Sequence, residues 1–180
     1  CRKAADRACP ALRSPCETTM TGQRSIAVVV VAAGRGERAT ANGDPSPKQY
    51  RKLQGKPVLQ RTIEAFLAQP EVDWVVPVIH SGHAALYGAL KLEGGDRLLP
   101  PVTGGANRQA SVLAGLTSLS PRRPDLVLIH DAARPLVSPE VISDVVDALA
   151  SSDAALPVVP VTDTIKRSAD GRTVAATEDR

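Results

Sequence analysis

Eight apolar residues in succession, Ile26-Ala-Val-Val-Val-Val-Ala-Ala33, open the first patterned stretch of the chain. The run is rich in valine and does not alternate, which predicts a central parallel strand covered on both faces. Val58, Leu59, Thr62, Ile63, Phe66 and Leu67 then recur at helical spacing and predict a helix that starts at Pro57 and stops before Pro70. Trp74 to Ile79 reads as a second strand, and Pro77 within it suggests an irregular or edge position. Gly82 to Lys91 predicts a short helix. Asn107 to Leu119 predicts another, with Val112, Leu113, Leu116 and Leu119 inward. Asp125 to His130 is a third strand. Ser138 as N-cap and Pro139 at the first helical position open a helix whose face is Val141, Ile142, Val145, Val146 and Leu149. Ala154 to Val161 is expected as a fourth strand. Beyond it, Thr162 to Lys166 and Thr173 to Ala176, joined by the turn-like Ala169-Asp-Gly-Arg172, predict a hairpin. Strands alternating with helices imply an α/β fold with a mostly parallel sheet and right-handed crossovers.

In such sheets ligands bind beyond the carboxyl ends of the strands. The first strand breaks there into Gly34-Arg35-Gly36-Glu37-Arg38, and Pro47-Lys48-Gln49 follows ten residues later. Glycines let main-chain N–H groups approach a ligand closely, and Arg38 and Lys48 add positive charge. Gly34, Gly36 and Ala39 satisfy the letters of the dinucleotide fingerprint G-x-G-x-x-G/A, but that motif must open a helix directly. The following Thr40 to Pro47 contains a glycine and two prolines, and a proline costs about 3 kcal/mol in a helix interior. A long loop over a triphosphate is the better reading. Asp131-Ala-Ala-Arg134 and Thr162 to Lys166 follow later strands. Gly104-Gly105 through Ser111 precedes a helix whose N-terminus would face the same crevice.

Charge changes the picture only at one end. Of 22 basic and 19 acidic residues, five and two lie in the first 25, which leaves 17 of each in the remainder. A basic nucleic-acid-binding face is therefore not supported. Cys1, Cys9 and Cys16 are the only cysteines, and a cysteine-free body suits a reducing compartment or is indifferent to it; a cytoplasmic protein is expected. The apolar runs fall far short of the ~20 residues that span a bilayer, so no membrane association is expected. Met20 is the only methionine and reads as the natural start. Residues 1–25 are accordingly expected to be a disordered or non-native leader. His80 and His83, three apart with no third ligand in sequence, read as structural or surface residues. His130 reads as the donor or acceptor of a buried hydrogen bond.

Taken in order, Ala32-Ala-Gly-Arg-Gly-Glu-Arg38, Pro47-Lys-Gln-Tyr50, Gly104-Gly105 with Arg108 and Ser111, His130-Asp-Ala-Ala-Arg-Pro135, Asp163-Thr-Ile-Lys166 and Asp179-Arg180 resemble the 2-C-methyl-D-erythritol 4-phosphate cytidylyltransferase family of isoprenoid precursor biosynthesis. The resemblance covers residues 26–180. It implies a Rossmann-like, mostly parallel sheet of the nucleotide-diphospho-sugar transferase type with a protruding β-arm over 161–180. It implies CTP and methylerythritol phosphate as substrates, with Mg²⁺ or another divalent cation. Arg38 and Lys48 would stabilise the transition state. Ala32, Ala33, Gly34, Gly36, Gly105, Ser111 and Asp131 would hold the nucleotide. Asp131, Arg134, Thr164 and Arg180 would hold the methylerythritol phosphate, and the arm would join two subunits in a homodimer.

The family's later strand, with a further lysine and a metal-binding carboxylate, has no counterpart before Arg180. The sequence is therefore read as part of a longer chain, in which some relatives carry a fused cyclodiphosphate synthase. Two other functions stay open: a sugar-1-phosphate or molybdenum-cofactor nucleotidyltransferase, which shares the glycine turn and fold, and a non-catalytic nucleotide-binding module, which the missing later strand makes plausible. The first leaves His130–Pro135 and Asp163–Lys166 together unexplained.

Overall fold

The computed structural model of the protein describes residues 24–34 and 46–179. Strand β1 (Ile26–Ala32) lies at its centre. A short hairpin of β2 (Lys52–Leu53) and β3 (Lys56–Pro57) leads into helix α1 (Val58–Leu67). Then follow β4 (Trp74–Ile79), α2 (Ala84–Gly88), β5 (Val102–Thr103), α3 (Arg108–Leu119), β6 (Leu126–Asp131) and α4 (Pro139–Ala148). A second hairpin, β7 (Lys166–Arg167) and β8 (Ala176–Thr177), ends the described chain. The main sheet has the order β5-β4-β1-β6, with every pairing parallel.

The valine run of β1 is explained by its two covered faces. Ile26, Val28, Val30 and Ala32 pack with Leu59, Ile63 and Phe66 of α1 and with Ile142 of α4. Ala27 and Val29 pack with Val76, Val78, Leu99 and Leu119 on the other face. Successive strand residues point to opposite faces, so a strand covered twice is apolar at every position. Each fully buried valine contributes roughly 1.5–3 kcal/mol of transfer free energy. The capping expectation for α4 holds, and α3 carries a cap of the same kind. Asn107 accepts from Ala110 N at 2.8 Å, and Ser138 accepts from Val141 N at 3.4 Å ahead of Pro139. Even Arg24 and Ser25, at the end of the expected leader, are tied to the body: Arg24 donates to Leu149 O, and Ser25 donates to Asp125 Oδ2 from both N and Oγ.

Four expectations are corrected. β4 is an interior strand despite Pro77, which pairs with Val30. Val75 O accepts from Leu99 N and Ile79 O from Gly104 N. The odd-numbered residues of β4 thus turn their main-chain groups away from β1, and the missing N–H of Pro77 falls on the side of short β5, where no ladder bond is lost. In α3 the inward ridge is Ser111, Gly115 and Leu119, while Leu113 is 62% exposed. Gly115 allows this, because its bare Cα presses against Val29 and Val78. The helix expected over 82–91 is a 3₁₀ turn, Ser81–His83, followed by the single-turn α2. Ala154–Val161 forms no strand. Pro157 and Pro160 remove two donors, and Leu156, Val158 and Val159 stay about 80% exposed.

Candidate active site

A cleft of about 760 Å³ opens at the carboxyl ends of β1, β4 and β6. Four chain segments wall it: Val31–Gly34 after β1, Lys48 and Gln49, Gly105–Ser111 at the start of α3, and Asp131–Arg134 after β6. His80, one residue past β4, completes the lining.

Hydrogen bonds inside the wall hold these segments in place. Gln49, 3% exposed, donates its carboxamide to Ala32 O at 2.9 Å and Gly34 O at 2.8 Å, so the strand's exit is pinned from inside. Ser111 is buried, donates to Asn107 O at 2.9 Å and accepts from Gly105 N at 3.1 Å. Gly104 sits so close to Ala33 and Ser111 that a Cβ there would collide with the Ala33 side chain. The buried Thr62 hydroxyl lies 2.9 Å from Ala132 O and 3.0 Å from Val58 O, tying the turn after β6 to α1. His130 Nε2 lies 2.9 Å from Arg134 O, an acceptor only, so the imidazole carries its proton on that nitrogen. The ring meets Phe66 edge-on at 4.9 Å and acts as a half-buried brace of the Asp131–Arg134 turn.

Charge in the cleft is centred on Asp131. Its Oδ1 accepts from Arg108 Nε at 3.1 Å and its Oδ2 lies 3.5 Å from Arg134 Nε. One carboxylate therefore bridges two guanidinium groups, and the cluster keeps a net positive charge. Both pairs are largely exposed, so each adds little to stability. Lys48 is exposed at the rim, on a 3₁₀ turn spanning Lys48–Tyr50. Beside it, burial and then the neighbouring Tyr87 push the Tyr50 hydroxyl up to about 12. Burial, then His80, lowers His83. Among the described residues the Tyr50 hydroxyl and His83 Nδ1 are buried without a hydrogen-bond partner.

Of the residues expected at the site, Ala32, Ala33, Gly34, Lys48, Gly105, Ser111, Asp131 and Arg134 line this one cleft. Thr164 does not. It is exposed on the segment leading to β7. Gly36, Arg38 and Arg180 lie outside the described residues. Gln49, His80 and Arg108 line the cleft although the sequence reading gave them no role there. Gln49 and Arg108 stood inside the quoted motifs, whereas nothing in the pattern marked His80. No group of three His, Cys, Asp or Glu side chains gathers to hold a metal among the described residues. Among them, too, no helix is long and apolar enough to cross a membrane.

The sequence model of the 2-C-methyl-D-erythritol 4-phosphate cytidylyltransferase family matches residues 26–180. The chain belongs to that family. The protein named bifunctional enzyme IspD/IspF from Bradyrhizobium diazoefficiens is 52% identical over 161 residues, which is 89% of this chain and 39% of that protein. Its namesake from Rhodopseudomonas palustris strain CGA009 is 50% identical with the same coverage. The chain thus spans about two fifths of the length of these curated relatives. Among solved structures, 4-diphosphocytidyl-2C-methyl-D-erythritol synthase from Anaerococcus prevotii superposes with a TM-score of 0.72 at 26% identity, covering 88% of this chain and 66% of that one. The Francisella tularensis 2-C-methyl-D-erythritol 4-phosphate cytidylyltransferase gives 0.67 at 30% identity, with 87% and 66% covered. The parallel α/β sheet of this chain is the fold of the cytidylyltransferase family.

Proposed function

We propose that the protein transfers a cytidylyl group from CTP to 2-C-methyl-D-erythritol 4-phosphate. A phosphate oxygen of the acceptor attacks the α-phosphorus of CTP. The bond to the β-phosphate oxygen breaks, and pyrophosphate leaves as 4-diphosphocytidyl-2-C-methyl-D-erythritol forms. The observation that carries the reading is the cleft itself, in a member of this family: strand-end backbone, an exposed lysine and an arginine-flanked carboxylate meet at the carboxyl ends of a parallel sheet.

Charge builds on the transferred phosphorus and its leaving group, so fixed cations and positioning do most of the work. Lys48 and Arg38 fill that role on the triphosphate. The main chain of Ala32–Gly34, with Gly36, Gly105 and Ser111, holds the nucleotide, and Asp131 meets the ribose. Arg134, Thr164 and Arg180 bind the methylerythritol phosphate. Asp131 is a hard oxygen donor and, among the described residues, the one carboxylate lining the cleft, which suits Mg²⁺, a cation commonly held by one or two carboxylates plus substrate phosphates and water. When bound, Mg²⁺ would neutralise charge on the triphosphate. The arm over 161–180 joins two copies as a homodimer, and the cysteine-free body fits a cytoplasmic enzyme. Pyrophosphate release is the test. It is expected with CTP and methylerythritol phosphate, and far more slowly with UTP, ATP or other acceptor phosphates. Equal rates with CTP and UTP, or release independent of the acceptor, would overturn the reading.

A further inference from the structure

His80 stands one residue past β4, between the exit of β1 and Gly104–Gly105, and lines the cleft. Asp131 ends β6, on the opposite side of β1, so His80 is at the far end of the cleft from the Asp131–Arg134 cluster. Gly82 N–H donates to His80 Nδ1 at 3.0 Å. An amide hydrogen can be received only by a ring nitrogen that carries none, so the neutral ring holds its proton on Nε2. That Nε2–H has no hydrogen-bond partner among the described residues, although the ring borders the cleft. The ring is also braced. His83 lies against it with centroids 4.8 Å apart, and Tyr50 meets His83 edge-on at 5.4 Å. A donor with a fixed tautomer, on a braced ring that lines the cleft, is a preorganised ligand contact.

We infer that His80 is a specificity-determining residue for the nucleotide, donating its Nε2–H to the bare N3 of the cytosine ring. The inference rests on the reading of the cleft as a CTP site. His80 shares its end of the cleft with Ala32, Ala33, Gly105 and Ser111, the residues assigned there to the nucleotide. Cytosine N3 accepts a hydrogen bond, whereas uracil N3 carries a hydrogen and would face the imidazole N–H donor to donor. A fixed N–H at this point therefore favours CTP and disfavours UTP, and a site built to pair a polar group discriminates best against the analogue that leaves it unpaired.

Two substitutions separate this role from that of a simple cap on the Ser81–His83 turn. In His80→Asn the carboxamide oxygen replaces Nδ1 and can still accept from Gly82, but nothing reaches the Nε2 position. In His80→Gln the carboxamide nitrogen reaches that position and can donate. Steady-state pyrophosphate release with CTP and UTP is measured for the parent and both variants, alongside thermal midpoints. The expected result is a roughly three- to tenfold rise in KM for CTP in His80→Asn, at an unchanged midpoint, with the CTP-to-UTP ratio of kcat/KM falling by a similar factor. His80→Gln should keep most of the parent's preference. A parent-like His80→Asn overturns the assignment and leaves His80 as a turn cap. If His80→Asn does not fold, His80→Gln decides: retained preference supports the contact, and lost preference overturns it. A parent that releases no pyrophosphate with CTP overturns the CTP reading itself and this inference with it. An active parent with a silent His80→Asn overturns this inference alone.

Discussion

Lys48 and Gln49 are adjacent on one short turn, yet Lys48 is exposed at the cleft rim and Gln49 is buried under it. The difference dictates opposite consequences of substitution. Gln49→Ala strips a donor from two carbonyls, Ala32 O and Gly34 O, and opens a void beside β1. Leaving buried acceptors unpaired costs roughly 1–3 kcal/mol, which a lowered urea midpoint would register; an unchanged midpoint would show that the two bonds do not hold the turn. Lys48 is exposed, so the midpoint of Lys48→Ala should match the parent while kcat falls by about 10²–10³-fold, the usual loss for one charge-stabilising donor. Turnover near the parent's would remove Lys48 from the mechanism. Lys48 was legible in the sequence because it stands in the Pro47-Lys-Gln-Tyr50 motif that carries the family resemblance. Gln49 was not, because its burial depends on carbonyls 15 and 17 residues away. His80 was hidden for a similar reason: only the sheet order brings it to the cleft.

Among the elements, α3 shows how a weak periodic signal is overruled. Its sequence offers Leu113 as a core residue beside Leu116 and Leu119, but Leu113 is left exposed and the buried ridge is Ser111, Gly115 and Leu119, because Gly115 lets the helix approach β1 and β4. Gly115→Ala should therefore destabilise the protein. Ala gains about 1 kcal/mol of helix propensity over Gly, but overpacking against Val29 costs about 1–3 kcal/mol. A thermal midpoint above the parent's would show that α3 can slide outward freely. The β7–β8 hairpin is held at its turn by Asp170, whose carboxylate accepts from Arg172 N, Thr173 N, Thr173 Oγ1 and Ser168 Oγ. The Thr173 and Arg172 amides, first among these, hold its pKa well below the usual carboxylate range. A depressed folded-state pKa gives stability that is present above the unfolded value of about 3.9 and is lost as pH falls below it. Exchange of the Arg172 and Thr173 amides, referenced to the intrinsic rate, should thus stay slow at pH 6 and lose protection in acid. Protection unchanged down to pH 2 would show that the carboxylate does not hold the turn. Helical periodicity made α1 and α4 readable in advance, and an unbroken apolar run did the same for β1. The two-residue strands β2, β3 and β5 carry no period to read. Ala154–Val161 had strand composition but prolines where a ladder needs donors.

At the scale of the whole molecule, the cleft and the arm are separate. Every residue from 156 to 177 is exposed, and Thr164 is not among those lining this chain's own cleft. Leu156, Val158 and Val159 add an apolar stretch that a lone chain would leave in water. A two-stranded hairpin standing by itself is marginal, so a surface to pack against is expected. These features favour the twofold homodimer, in which a patch on each subunit serves the other, and in which Thr164 and Arg180 of one chain complete the substrate site of its partner. The test is complementation. With Arg38 on the triphosphate and Arg180 on the acceptor, as proposed, Arg38→Ala and Arg180→Ala homodimers should each be nearly inactive. If the arm crosses to the partner, an unfolded and refolded mixture contains heterodimers in which one composite site keeps both arginines. With random assortment half of the dimers are mixed, so about a quarter of the parent's sites should recover, and the gain should vanish when the variants are refolded separately and then combined without subunit exchange. Mixtures no more active than either variant, or a fully active monomer by sedimentation, would show that each chain builds its site alone.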